Sequence, residues 1–545
     1  MYDFIIVGAG SAGCVLADRL SADGKSRVLV IESGFKDNHP LMHMPGATGK
    51  IQNSKRYNWG YESVPQKHLN NRKLFITQGK GIGGSSSINA MIYIRGNRED
   101  YDQWRQMGNK GWGWDDVLPI FMELENNARL GGPFHGQSGP LTVTDPIAPN
   151  KMSVLFTEAS EQVGAPRRDD FNTGDQAGTG LFQFTIRNGV RWSAARAFLD
   201  KARARKNVEV VTNLTACKIL VENGKAVGVV AKSDDGAPTT FRASREVILA
   251  AGVFGSPKLL LLSGIGPASE LADVGVASVH NLPGVGKNYH DHVDIRTVHQ
   301  CLSPWTYDGQ DKLLPALRHG LEYILLRKGM VSSSPCQAAT FVKSRPDVGT
   351  PDISLYFLPV GFVDHGRVKV PGRAVTLHNN IMRPLSRGEI KLRSSNPTDM
   401  PLIDPNFLAH QADMDIMVEC VRWARKVMAA PVLAKHIGRE IFPGPDVQSV
   451  EDIEAYVRAN AEIDYHPVGS CKMGHDNLAV VDDRLRVHGL SGLRVVDASI
   501  MPNVISGNTN APTMMIAAKA AKMIIEDQRA GHSTARADLG GLDHA

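Results

Sequence analysis

Ile5-Ile6-Val7-Gly8-Ala9-Gly10-Ser11-Ala12-Gly13 decides how the chain begins to fold. Strand-forming residues run straight into G-x-G-x-x-G, and Cys14 to Ser21 continues in residues a helix accepts. The pattern predicts a strand, a tight turn and a helix. Gly8 permits the turn, Gly10 lets a pyrophosphate approach the backbone, and Gly13 lets helix and strand pack closely. Free N–H groups at the new helix start then face phosphate charge. Glycine-rich turns also arise for structural reasons alone, so the motif needs support. Glu32 supplies it by closing the next apolar run, Arg27-Val28-Leu29-Val30-Ile31. That is the spacing at which a carboxylate receives ribose hydroxyls, and the same charge repels a 2′-phosphate. The N-terminus is expected to bind an ADP-containing dinucleotide, FAD or NAD.

The 545 residues exceed what one core accommodates, so two or three domains are expected. A net charge of +5 is too small to argue for nucleic acid. No apolar run approaches the roughly 20 residues that span a bilayer. The longest, around Lys258-Leu259-Leu260-Leu261-Leu262, is broken by Ser263-Gly264. A first strand starting at Tyr2 leaves no room for a cleavable leader. Cys14, Cys217, Cys301, Cys336, Cys420 and Cys471 lack metal or redox spacing, which points to reduced thiols in a cytoplasmic protein. Peripheral attachment to the cytoplasmic face of a membrane stays open, as does the oligomeric state.

A second glycine-rich segment, Gln78 to Gly96, reads Q-G-K-G-I-G-G-S-S-S-I-N-A-M-I-Y-I-R-G. Adjacent glycines, Lys80, three serines and Asn89 ahead of an apolar run suit an anion-binding turn better than a linker. Trp59 is either a core aromatic or a residue lying against a flat ring. Val208–Val211, Ala226–Val230 and Glu246–Ala250 read as strands. His290-Asp291-His292 invites a metal reading, but consecutive residues cannot converge on one point from a helix, so no metal is expected. Between about 300 and 465 the loops lengthen. Asp352–Leu358 reads as a strand there, and helix patterns fill 411–440 and 451–461. From about Asp527 the chain is polar and reads as a frayed tail.

The second glycine segment, G-K-x-x-G-G-S-S-x-x-N-x-x-x-Y-x-R-G, resembles the glucose–methanol–choline (GMC) family of flavin oxidoreductases. So do Gly252-Val253-Phe254-Gly255-Ser256-Pro257 with Ser263-Gly264-Ile265-Gly266-Pro267, and His466-Pro467-Val468-Gly469-Ser470 with Met473-Gly474. The resemblance runs from about residue 2 to 527. It implies an α/β fold, α+β overall: a Rossmann-like FAD-binding domain with a discontinuous substrate-binding domain on an antiparallel sheet packed with helices. The FAD-binding parts are expected at 1–150, 191–300 and 470–530, the substrate parts at 151–190 and 301–469, and a polar tail at 531–545.

By the same resemblance the cofactor is FAD. It would be held by Gly8, Gly10, Ser11, Ala12, Gly13 and Glu32, by Trp59, Gly79, Lys80, Gly83, Gly84, Ser85, Asn89, Ala90 and Met91, by Ala216, Ala250 and Gly252, and by Asp497, Ala498, Asn508, Pro512 and Thr513. Some members attach FAD through a histidine in the second glycine loop. Ile88 stands at that position, so non-covalent FAD is expected.

The resemblance makes His466 the imidazole facing flavin N5 and Asn510, in N-T-N-A-P-T, its partner. An imidazole suits removal of a hydroxyl proton, and a carboxamide can hold the substrate oxygen while hydride passes to the flavin. The expected activity is oxidation of a primary alcohol to an aldehyde, with electrons passed to a quinone, an artificial acceptor or oxygen. Choline dehydrogenase-type activity and a non-redox hydroxynitrile lyase are the alternatives. Ser332-Ser333-Ser334-Pro335-Cys336-Gln337, expected at the pocket, carries no charge and favours a neutral alcohol over a cation.

Overall fold

In the computed structural model, which describes residues 1–540, strand Tyr2–Val7 sits between Val28–Ile31 and Thr239–Leu249, all three parallel. Val208–Val211 extends the sheet beyond Val28–Ile31, and Leu493–Val495 joins Thr239–Leu249 from the C-terminal end of the chain. These strands read as unbroken apolar runs because helices cover both faces of a parallel sheet. Ile5, Ile6, Val28, Leu29 and Val30 are fully buried. Helix Ser11–Leu20 follows the first strand and packs against the C-terminal helix Asn510–Gly540. A Cβ on Gly13 would lie 1.9 Å from the Gly8 carbonyl oxygen, so only glycine lets this helix approach its strand.

Thr239–Leu249 serves two sheets. Its last residues pair with Tyr2–Val7, and its first turn outward into an antiparallel ribbon with Lys225–Lys232 and Thr215–Glu222.

The second sheet is antiparallel, in the order Ile437–Phe442, Val293–Cys301, Ala374–Ile381, Ile353–Leu358, Ala338–Val342, Gly178–Leu181. Every residue of Ala374–Ile381 is buried, as a central strand covered on both faces requires. Helix Gln411–Met428 packs over it. Met417, Val421, Ala424 and Val427 form the helix's apolar stripe at helical spacing.

Three boundaries differ from the sequence reading. Val293–Cys301, placed by sequence with the FAD-binding part, is a strand of the second sheet. The helix pattern over 411–440 ends at Met428: Pro431 stops it, and Ile437–Phe442 becomes the edge strand. The expected tail from Asp527 continues the helix to Gly540, and Asp527 is tied to Arg484 and Arg494, each at 2.7 Å. Residues 541–545, the end of that expected tail, lie outside the described residues.

Gly13→Ala should destabilise the fold by about 1–3 kcal/mol, because the added methyl meets backbone that cannot swing away. An unchanged urea midpoint would show that the strand and helix are not packed this closely.

Candidate active site

The two sheets enclose a continuous cavity of about 1050 Å³. One arm runs along the first glycine turn: Gly8, Gly10, Ser11, Ala12 and Glu32 line it, with Ala216, Ala250 and Gly252 from the neighbouring strand ends. A Cβ on Gly10 or Gly252 would meet nothing within 4 Å, so bare backbone faces the cavity at both places. Glu32 is buried and accepts from the Ala9 and Gly34 N–H groups, each at 2.8 Å. Burial raises its carboxyl above the usual range, while these N–H groups pull it back down.

The second glycine segment forms the opposite wall. Trp59, Gly79, Lys80, Gly84, Ser85, Asn89, Ala90 and Met91 all line the cavity. Trp59 stacks on Tyr61 at 5.7 Å, and the Lys80 ammonium lies 4.6 Å from the Trp59 ring centroid. The two glycine loops touch: Gly83 N–H donates to the Ala9 carbonyl at 2.7 Å, and a Cβ on Gly84 would lie 2.8 Å from Gly10 Cα.

Gly13, Gly83 and Pro512, expected at the cofactor, do not line the cavity. Gly13 lets its helix pack against Gly8, Gly83 ties the two glycine loops together, and Pro512 is buried in the first turn of the C-terminal helix. Asp497, Ala498, Asn508 and Thr513 do line it. The Asp497 carboxylate is occupied by Gly252 N–H, Ser256 Oγ–H and Ser499 N–H, which clasps the helix start at Gly252 to the C-terminal segment. Ile88 is buried among Met42, Ile51 and Tyr57.

Arg191 was not singled out by sequence. It is buried and donates to the carbonyls of Met42, Ser86 and Asn89 and to the hydroxyl of Thr48. Burial lowers its guanidinium to about 9. This cation braces the second glycine loop from behind.

His466 lies at the inner end of the cavity, and here the pairing expected from sequence is corrected. Asn508, not Asn510, faces it: Asn508 Nδ2 is 2.7 Å from His466 Nε2. Asn510 begins the C-terminal helix, and its Oδ1 accepts from Ser11 Oγ–H at 2.7 Å. The turn into the helix swings the two asparagines apart. Asn510 still lines the cavity, on the side of the first glycine turn.

The His290-Asp291-His292 run joins this site without converging on one point. His290 Nδ1–H donates to the Asn288 carbonyl at 2.7 Å, and its Nε2 accepts from Val504 N–H at 3.0 Å. Asp291 accepts from the His466 N–H at 2.8 Å. His292 Nε2 faces the Ile505 carbonyl at 3.1 Å and its Nδ1 lies 3.0 Å from His466 Nδ1.

A tautomer follows from these partners. A carbonyl only accepts, so His292 carries its proton on Nε2 and offers a lone pair at Nδ1. His466 therefore carries its proton on Nδ1 and keeps Nε2 bare. Asn508 Nδ2–H donates to that bare nitrogen, while Asn508 Oδ1 faces the Tyr356 hydroxyl at 3.5 Å. Burial lowers His466 to about 3, and burial lowers His292 well below the ordinary histidine value, so both rings are neutral.

The chamber beyond His466 is lined by Val331, Pro335, Cys336, Tyr356, Leu358 and Val360, with Phe362, His365, His378, Asp464 and Tyr465. Of the expected pocket segment, Ser333, Pro335 and Cys336 line it. Asp464, 3.2 Å from His466 Nδ1, was not anticipated. Burial, with Asp294 repelling it, raises its carboxyl well above the usual range. The chamber therefore disfavours the charged form of this carboxyl.

An elongated, glycine-walled cleft with a neutral base at its inner end is what a dinucleotide-dependent oxidoreductase requires. The chain belongs to the GMC oxidoreductase family, whose N-terminal profile matches residues 2–294 and whose C-terminal profile matches 384–517. It is 47% identical to alcohol dehydrogenase [acceptor] of Pseudomonas putida, over 100% of this chain and 97% of the relative. It is 42% identical to human mitochondrial choline dehydrogenase, over 96% of this chain and 89% of that one. Among solved structures, pyridoxine 4-oxidase from Mesorbium loti superposes with a TM-score of 0.86 at 30% identity, covering 96% of this chain and 99% of the other.

His292→Leu should slow reduction of the enzyme by alcohol about 10- to 100-fold, because the His466 tautomer loses the partner that selects it. Asn510→Ala, tested alongside, should lower cofactor retention more than the reduction rate. The reverse ranking would contradict this division of roles.

Proposed function

We propose that this protein oxidises a neutral, largely apolar primary alcohol to the aldehyde, using non-covalently bound FAD and passing the electrons to a quinone-type acceptor. The observation that carries the reading is the unprotonated Nε2 of a neutral His466, which accepts from the Asn508 carboxamide at 2.7 Å. An alcohol oxygen that displaces the Asn508 carboxamide from Nε2 would give its proton to that nitrogen and accept from the freed Asn508 Nδ2–H. The carboxamide steadies the negative charge that develops as the proton leaves.

FAD, when bound, supplies the two-electron acceptor for the α-hydrogen of the alcohol. Gly8, Gly10 and the helix start at Ser11 would hold its pyrophosphate and Glu32 its ribose. Trp59, Asn89, Ala90 and Met91 would hold the opposite side. The open backbone at Gly10 and Gly252 supports that fit.

The apolar wall residues Val331, Pro335, Leu358 and Val360 favour an uncharged substrate over choline. Both curated relatives carry redox names, which favours this reading over a lyase. The buried Ile88 supports cofactor held without a covalent bond at that loop. The six cysteines, all free, support a reducing, cytoplasmic setting.

His466→Ala should cut the rate of anaerobic flavin bleaching by about 10²- to 10⁴-fold across a panel of a medium-chain alkanol, benzyl alcohol and a polyethylene glycol. Near-normal bleaching would remove His466 from the mechanism, and faster bleaching by choline would overturn the substrate class.

His466 titrates at about 3 in place of the ordinary 6.5, so the base stays unprotonated as pH falls through the usual histidine range. The acid limb of kcat/KM for the alcohol should therefore fall well below 6.5. A limb at that ordinary value would show that His466 is solvated or is not the base. The same depressed value adds folding stability above 6.5 that is lost as pH falls toward 3, since only the unfolded imidazole takes the proton.

A further inference from the structure

Helix Leu313–Leu326 is amphipathic with its apolar side turned outward. Leu313, Leu314, Leu317, Leu321, Ile324 and Leu325 are between 56% and 78% exposed. They fall one, four, eight, eleven and twelve positions along from Leu313, which gathers them on one face at helical spacing. The inner face carries Ala316, His319, Gly320 and Tyr323, which line the mouth of the cavity. Tyr323 is the one buried residue of the helix, and its hydroxyl donates to the His43 carbonyl at 3.3 Å. A soluble protein rarely leaves so much contiguous apolar surface in water, and a leucine-rich outer face on a cavity wall calls for a covering.

The charges around that face indicate what covers it. Lys312, Arg318, Arg327 and Lys328 frame the leucines, and Lys50 stands on the same cavity rim. Of the two acids along the stretch, Asp311 is paired with Lys369 at 2.5 Å and Glu322 lies 3.8 Å from His319. An apolar stripe edged by cations complements anionic headgroups over hydrocarbon. A second copy of the chain would set these cations against one another across a two-fold contact. Among the described residues no helix is long and apolar enough to cross a membrane, so the contact would be interfacial.

We propose that helix Leu313–Leu326 docks this protein on an anionic lipid bilayer, its leucine face sunk into the interface and the cavity mouth opening beside it. The docking stands on the helix itself. That the bilayer then feeds an apolar alcohol into the cavity rests on the function proposed above.

The test is flotation of the FAD-loaded enzyme with vesicles of phosphatidylglycerol and phosphatidylethanolamine, and with phosphatidylcholine alone. The wild type should rise with the anionic vesicles and much less with the neutral ones. Leu317→Ser/Leu321→Ser/Leu325→Ser should reduce the floating fraction about tenfold, with flavin content and reduction by a water-soluble alcohol unchanged. If the triple variant loses flavin, Arg318→Glu/Lys328→Glu replaces it in the same assay. A wild type that stays at the bottom with anionic vesicles, or a variant that floats equally well, overturns the proposal. So does light scattering that finds a dimer which the leucine substitutions split, since a second copy then covers the helix. Flotation does not depend on turnover, so its failure leaves the alcohol reading intact, and failure of flavin bleaching leaves the docking intact.

Discussion

The contact between the two glycine loops is the constraint on which the rest of the structure depends. Gly83 donates to Ala9, and Gly84 sits where any side chain would strike Gly10. Backbone therefore meets backbone at a point where one loop belongs to the first strand–helix turn and the other to a segment some 70 residues later. The cleft between them is narrow and polar on its peptide edges, as a pyrophosphate requires. Arg191 fastens the second loop from behind through the carbonyl oxygens of Ser86 and Asn89 and the Asn89 side chain. Burial lowers this guanidinium to about 9, and its hydrogen bonds fix it behind the loop.

The reactive end follows the same logic of fixed partners. A neutral histidine could carry its proton on either nitrogen. The Ile505 carbonyl decides the matter for His292, and His292 decides it for His466. Each group in the chain has one role left once its neighbour is fixed, so a backbone oxygen at the far end determines which nitrogen is bare in the chamber. Burial keeps the rings uncharged and makes this ordering possible, since a protonated imidazole would donate from both nitrogens and break the sequence of roles.

Much of this was legible in the sequence because it rests on local patterns. The strand–turn–helix at residues 5 to 20, Glu32 and the serine-capped loop at 83 to 89 declare themselves through spacing. The parallel strands declare themselves through unbroken apolar runs. What escaped depends on contacts between distant segments. His292 and His466 are 174 positions apart, and the pairings of His290 with Val468 and of Val293 with Ile463 bring them together. Asn508 and Asn510 are equivalent as letters in N-T-N. The structure separates them because one precedes the helix start and the other begins it. Ile437–Phe442 read as helix because its apolar spacing suits either form, and its strand identity comes from a neighbour, Val293–Cys301, more than 130 residues earlier. The cationic frame and outward leucines of helix Leu313–Leu326 show as an amphipathic pattern, but no pattern says which face turns inward.

The hydrogen bond from Ser11 to Asn510 spans 499 positions and closes the chain on itself at the cofactor cleft. Strand Leu493–Val495 joins the same sheet by pairing with Val247 to Leu249, which lie about half as far away in sequence. During synthesis at roughly 5–20 residues per second, the first glycine turn waits on the order of half a minute or more for the segments that complete it. The parallel sheet lacks a strand and a covering helix throughout that time. The cleft is therefore closed only after residues 493–510 have joined the first glycine turn, which makes its last wall among the latest parts of the fold to form.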